Sequence, residues 1–305
     1  MKTDERLIWL NGAIVPLSDA KINVLAPTSQ FGANVFEGIR GYVDAKQKQL
    51  YIFRLNEHLI RLKNSIKMFR IEDKYTFEDL KESLISVIKA NKFMQDIAIR
   101  QTVFVDGFGT WTASGPAGMF IAPIAKPRIN LENTTGIKCC ISSWERISDK
   151  NLSPKVKVGA NYINSRMAQM EAIQNGYDSA IFLNSQGKVS EGPGSCFFMI
   201  RGNELITPPC TASVLESITR ETIITLAKEQ LNLKVLERDI DRTELYICDE
   251  AFLCGSAVEV LPIQSVDGLS VNNQKFTYTK LIHSLYLKTV SGENSKHTDW
   301  LTPVY

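Results

Sequence analysis

Two short apolar runs, Leu7–Leu10 and 13–17, flank Asn11-Gly12 near the start of the chain, the spacing of a β-hairpin closed by a two-residue turn. FEGIRGYV (36–43) and QLYIFRL (49–55) read as strands. Leu55, Leu59, Leu62, Ile66 and Phe69 then recur at steps of four and three, which predicts an amphipathic helix. Phe77, Leu80, Leu84 and Ile88 predict a second one, and the strands IAIRQTVFV and AGMFIAPI follow.

Two irregular stretches come next, DGFGTWTASGP (106–116) and AKPRINLENTTG (125–136). The second is poor in large apolar residues and carries proline, asparagine and glycine, so the domain boundary is expected there. The expectation is a smaller N-terminal domain over 1–125, a connecting loop at 126–135 and a larger domain over 136–305. In the latter, IKCCISS is a strand whose adjacent Cys139 and Cys140 point to opposite faces. A helix carries Ile163, Met167, Met170 and Ile173, and strands turn at Ser185-Gln186-Gly187. Another helix sets Ile223, Leu226, Ala227 and Leu231 on one face. The strands LKVLER, EAFLCG and VEVLPIQSV and a helix near 276–290 complete a mixed α+β chain in two lobes.

At 305 residues, two domains are the natural expectation. The net charge of +2, without an extended basic run, gives no reason to expect nucleic acid. No apolar stretch approaches the roughly 20 residues that span a bilayer, and the opening MKTDERLIWLNG lacks a secretion signal's apolar core, so a cytoplasmic protein is expected. Six cysteines without C-x-x-C spacing and three histidines argue against a zinc site and suit free thiols in a reducing compartment. There is no G-x-x-x-x-G-K-[ST], complete G-x-G-x-x-G or H-E-x-x-H.

Three segments could carry chemistry. In SPKVKVGANY, Lys157 sits between valines and before Gly159 and Ala160. Such neighbours can strip an ammonium of water and make it a nucleophile toward a carbonyl. A strand-edge lysine with its head in water is the plain alternative, and Lys155 would share its face. In SEGPGS, Glu191 lies in a loop of glycine and proline that lets backbone approach a ligand, and its carboxylate could meet a protonated ring nitrogen. In TASVLESITRETIITLAKE, Ser213 and Glu216 have capping-box spacing, and Ser217 and Thr219 fall at a helix start, where unpaired amides can hold a phosphate.

Together these segments resemble the class IV, fold-type IV pyridoxal-phosphate aminotransferases, most closely the branched-chain amino acid aminotransferases. The markers run along nearly the whole chain: WLNG, FEGIR (36–40), HLIRLKNS (58–65), KVGANY (157–162), GYDSAIFLN, SEGPG (190–194), SITRETIITLAKE (217–229) and DEAFLCGSAVEVLPI (249–263). The resemblance implies pyridoxal 5′-phosphate as cofactor. It implies that Lys157 forms the Schiff base and shuttles the proton between Cα and C4′. Tyr162 would meet the phenolate oxygen, and Glu191 the pyridine nitrogen. Arg61, the amides of Ile218 and Thr219, and Ser256 would hold the phosphate. Phe36, Arg40, Arg100 and the turn amides of Ala257 and Val258 would meet the substrate.

Departures from the family pattern lie near the expected substrate pocket. Phe31 and Ala98 stand where tyrosines are frequent, Pro127 aligns near a third, and Cys196 replaces an asparagine. The expected reaction is amino transfer between a hydrophobic, branched-chain L-amino acid and 2-oxoglutarate. The alternatives are a relative acting on D-amino acids or amines, an aminodeoxychorismate lyase-like enzyme, or a non-catalytic oligomeric binding protein. A homodimer is expected, with the loop Gly107–Gly118 and its Trp111 reaching a partner's pocket; a core tryptophan is the other reading of Trp111.

Overall fold

The structure is a computed structural model that describes residues 5–44, 46–132 and 134–305. It divides into two compact units. The first comprises 1–127, 156–160 and 289–305, and the second 128–155 and 161–288.

The first unit is built on a seven-stranded antiparallel sheet: β1 (Leu7–Leu10), β2 (Ala13–Pro16), β3 (Asn34–Asp44), β4 (Gln49–Phe53), β5 (Ile97–Val105), β6 (Ala117–Ala125) and a last strand, Leu301–Pro303. Asn11 and Gly12 have φ of 47° and 101°, the pair of left-handed residues that a type I′ turn needs. The edge strand β2 ends in Pro16, where a missing amide costs no ladder bond. A short helix α1 (Pro27–Phe31) precedes β3, and α2 (Leu55–Phe69) and α3 (Phe77–Asn91) cover the sheet. Leu55, Leu59, Leu62 and Ile66 are almost fully buried, as the spacing predicts, whereas Phe69 in the last turn is exposed. The Thr76 hydroxyl and Asp79 carboxylate form a reciprocal capping box that starts α3.

The second unit holds a mixed sheet made of β7 (Ile137–Ile141), β8 (Ser179–Ile181), β9 (Glu191–Gly192), β10 (Ser195–Arg201), β11 (Glu204–Thr207), β12 (Lys234–Glu237), β13 (Glu250–Gly255), β14 (Glu259–Val266) and β15 (Leu269–Ser270). The helices α4 (Tyr162–Gln174), α5 (Ile218–Gln230) and α6 (Thr277–Val290) complete the elements. Cys139 and Cys140 do enter different apolar clusters on opposite faces of β7. The turn at 185–187 is present, but Leu183 and Val189 form only an isolated bridge across it.

Two features depart from the sequence reading. The boundary falls at Pro127/Arg128, inside the expected loop, but residues 156–160 and 289–305 join the first unit rather than the expected 136–305 domain. Val156 and Val158 pack into the core beneath α2 and α3, Val158 bridges Val35 of β3, and Leu301–Pro303 pairs with β4. The second departure is α4. Ile163, Met167, Met170 and Ile173 face outward, while Ser165, Ala168 and Ala172 are buried, the two alanines packing with Cys140, Ala180 and Phe182. Small side chains let this helix approach its sheet closely, so the larger stripe is left on the surface.

Candidate active site

The expected site residues fall into two sets, one in each unit. In the first unit, β3 alternates in direction: Phe36, Gly38 and Arg40 line one face and Glu37 and Ile39 the other. Antiparallel pairing sets Thr102, Arg100 and Ala98 of β5 directly opposite Phe36, Gly38 and Arg40. Gly38 has open space where a side chain would stand, and the Arg100 guanidinium lies 3.7 Å from the centre of the Phe36 ring. Lys157 approaches the same ring, its Nζ 5.1 Å from the centre. The Lys157 carbonyl accepts from the Phe36 amide at 2.9 Å, and its own amide donates to Ser65 Oγ at 3.2 Å. Gly159 permits this passage, because a Cβ there would stand 2.5 Å from Asn34 Oδ1. Arg40 is buried and donates from Nη2 to the carbonyls of Lys126 and Pro127 at 3.0 and 3.2 Å, which ties the end of β6 to β3. Of the expected departures, Phe31 is exposed and Ala98 half-buried.

The other face of β3 carries a buried polar cluster that the sequence reading overlooked. Glu37, wholly buried, accepts from Arg61 Nε at 2.7 Å and Nη2 at 2.6 Å, and meets His58 Nδ1 at 2.7 Å. His58 and Arg61 come from one face of α2, three residues apart. Burial alone would raise the Glu37 pKa; the charge of Arg61 and the hydrogen bonds from Arg61 and His58 outweigh it and hold the carboxyl at about 2. For His58, burial first, then the charges of Arg61 and Lys157, lower the pKa against the pull of Glu37. The ring therefore serves as a neutral Nδ1–H donor to an ionised carboxylate. A glutamate between Phe36 and Ile39 in the middle of a strand was the available signal.

The two lysines of the KVK segment separate cleanly. Lys155 lies in a turn of the second unit, and its Nζ donates to the carbonyls of Cys210 and Val214 at 2.5 and 3.3 Å, with Glu216 at 3.3 Å. It does not share a strand face with Lys157, because the chain is not extended there.

In the second unit, Glu191 sits on β9, opposite Cys196 of β10, and is nearly buried. Its Oε1 receives Arg146 Nη2 at 2.7 Å, and the Leu215 amide lies 3.4 and 3.3 Å from its two oxygens. Cys196 Sγ is 3.9 Å from Oε2. Helix α5 begins at Ile218 with Ser217 as cap, the Ser217 Oγ accepting from the Arg220 amide at 3.2 Å. Ser213 is in a left-handed loop conformation, φ 64°, so the cap is Ser217 and not the Ser213/Glu216 pair. Ile218 and Thr219 thus occupy the first turn, whose amides have no acceptor within the helix. Tyr162 opens α4. In the turn between β13 and β14, Ser256 and Val258 are half-buried and Ala257 exposed. The Val258 amide donates to the Gly255 carbonyl at 3.1 Å, so of the two turn amides expected to meet a substrate carboxylate this one is engaged within the turn. Trp111 is 75% exposed, which removes the core reading. Among the described residues no group of three or more His, Cys, Asp or Glu side chains is placed to hold a metal ion. Nor is any described helix long and apolar enough to cross a membrane.

A family model described as amino-transferase class IV matches residues 34–266. The chain belongs to the class IV aminotransferases. It is 35% identical to a probable branched-chain-amino-acid aminotransferase of Aquifex aeolicus, over 97% of this chain and 96% of that one. Among solved structures, the branched-chain amino acid aminotransferase of Thermobaculum terrenum in its PLP form superposes with a TM-score of 0.93 at 38% identity, covering 100% of both chains. A T.th. branched-chain amino acid aminotransferase complexed with N-(5′-phosphopyridoxyl)-L-glutamate gives a TM-score of 0.92 at 33% identity, again over 100% of both. The α+β fold and the class of activity, a transaminase, are those of this family.

Proposed function

We propose that this chain is a pyridoxal-phosphate-dependent aminotransferase that moves an amino group between a hydrophobic, branched-chain L-amino acid and 2-oxoglutarate. The observation that carries this reading is where Lys157 stands: its amine lies 5.1 Å from the centre of the Phe36 ring, against which Arg100 also stacks, while Lys155 reaches away to the carbonyls of Cys210 and Val214. The donor set fits the cofactor. A primary amine suits an aldehyde, first-turn amides and an arginine suit a phosphate dianion, and an ionised carboxylate suits a protonated pyridine nitrogen. When bound, the cofactor supplies a carbonyl for amine exchange and a ring that accepts the electrons of the broken Cα–H bond.

Lys157 holds the cofactor and afterwards serves as base and acid at Cα and C4′, where proximity does most of the work. Arg61, anchored by Glu37, binds phosphate together with the amides of Ile218 and Thr219 and the hydroxyl of Ser256. Tyr162 donates to the ring oxygen, and Glu191 accepts from the ring nitrogen. Phe36 supplies an apolar wall for a branched side chain, and Ala257 a donor to the substrate carboxylate. Arg100, exposed and stacked on Phe36, is the cation for the second carboxylate of glutamate; Arg40 is committed to the end of β6. The phosphopyridoxyl-L-glutamate complex of the T.th. enzyme supports glutamate as one partner of the exchange.

A cytoplasmic homodimer completes the proposal. Phe108 and Trp111 are 74% and 75% exposed in the loop expected to reach a partner, and the α4 stripe adds further exposed apolar surface that a second copy would cover. The test is turnover of L-leucine with 2-oxoglutarate, beside D-alanine and an (R)-amine. Turnover confined to the latter two overturns the substrate class, and a colourless protein that takes up no cofactor overturns the reading as an enzyme.

A further inference from the structure

Glu191 is not alone. Arg146, in the segment after β7, is itself 8% exposed, and its Nη2 stands 2.7 Å from Glu191 Oε1. Besides Glu191, three contacts place this residue. The Arg146 amide donates to the Leu183 carbonyl at 2.9 Å, and its Cζ lies 5.6 Å from the centre of the Phe182 ring. Its Nη1 has a long hydrogen bond of 3.4 Å to Asn164 Oδ1. A buried carboxylate without a partner tends to take up a proton, and a neutral acid cannot accept from a protonated ring nitrogen. A guanidinium stays charged at every working pH, so one fixed at this distance keeps the acceptor anionic.

We propose that Arg146 is a positioning residue of the transamination reaction, holding the Glu191 carboxylate ionised and aimed so that it can accept from the cofactor's ring nitrogen. This rests on the role given to Glu191 under Proposed function. The other groups facing Glu191 do not supply the charge. Cys196 on β10 and Cys254 on β13 are buried thiols, and Arg220 on α5 is engaged by Glu237 and the Pro208 carbonyl at 2.8 Å each. Lys155 and Glu216, beside the 214–216 backbone, pair with each other at 3.3 Å. The Leu215 amide contributes only a neutral donor at 3.3–3.4 Å.

The experiment titrates apoprotein with pyridoxal phosphate, read by the visible band of the bound cofactor, and follows kcat/KM against pH. It uses wild type, Arg146→Met, Arg146→Lys and Glu191→Gln. Arg146→Met is expected to raise the apparent Kd by about tenfold or more and to move the acid limb up by at least about one pH unit, the scale on which a lost neighbouring charge acts. Arg146→Lys restores the cation and is expected to recover most of both. Wild-type behaviour in Arg146→Met overturns the proposal. So does weakened binding with an unmoved acid limb, or failure of lysine to rescue, since a purely structural arginine would do either. If Arg146→Met does not fold, wild type beside Glu191→Gln still decides: phosphate and lysine titrate alike in both, so the ratio of their Kd values for cofactor should stay constant from about pH 8 to about pH 5, and a ratio that closes already at about pH 6.5 overturns the proposal. Unchanged cofactor binding in Glu191→Gln would instead remove the role of Glu191 itself.

Discussion

Replacing Glu37 by glutamine should destabilise the protein by an amount that depends on pH in a defined direction. The carboxyl falls from an ordinary 4.5 to about 2 in the folded chain, which corresponds to about 3 kcal/mol of stability. Because the folded value is the lower one, this contribution is complete above about pH 4.5 and is lost as the pH falls toward 2. It amounts to about 3 kcal/mol at pH 7 and about 1 kcal/mol at pH 3. Glutamine keeps the volume but sets an amide against the Arg61 fork and the His58 donor, so three N–H groups lose their anion. Urea unfolding of the apoprotein, wild type beside E37Q, measures the gap at each pH. Equal stabilities at pH 7, or a gap as wide at pH 3 as at pH 7, would refute the assignment of Glu37 as the ionised hub of this cluster.

Other outcomes follow from the same geometry. Gly159→Ala places a Cβ 2.5 Å from Asn34 Oδ1 and should cost about 1–3 kcal/mol in thermal or urea unfolding, with Asn34→Ala in the same chain recovering part of the loss. Recovery by the second substitution is the decisive half, since backbone strain alone would not respond to it. All six cysteines are free; burial pushes Cys140 up to about 11 and Cys248 up to about 12, raises Cys139 and Cys254 as well, and encloses Cys196. A thiol reagent at about pH 8 should therefore modify Cys210 promptly and the others only after denaturation. A prompt thiol that survives Cys210→Ser would contradict this. Arg100→Ala should raise KM for 2-oxoglutarate more than for a branched-chain oxo acid, as measured in paired steady-state assays.

Much of this fold is legible in the chain because its devices are local. Asn11-Gly12 closes its hairpin with two left-handed residues, and the four-three spacing of α2 buries the residues it marks except Phe69 in the last turn. What escaped depended on distant partners. The valines around Lys157 look like an ordinary edge strand until the core under α2 and α3 is assembled, and only then does the segment leave the expected second domain. In α4 the larger side chains suggested the buried face, yet close packing against β7 and β8 favours alanine. Arg146 and Glu191 stand 45 residues apart, as Glu37 and Arg61 stand 24 apart, so neither ion pair leaves a local trace. The family markers single out Lys157 as the expected Schiff-base lysine, and the carbonyls that hold the Lys155 amine are a long-range feature no local pattern announces.

The most direct test of the account is to reduce the purified yellow holoprotein with borohydride, digest it and locate the phosphopyridoxyl group by mass spectrometry. The account predicts that the band bleaches and that the label sits on Lys157 alone, with Lys157→Ala neither labelled nor able to exchange nitrogen between L-leucine and 2-oxoglutarate. A label on Lys155, or undiminished exchange in Lys157→Ala, would contradict it.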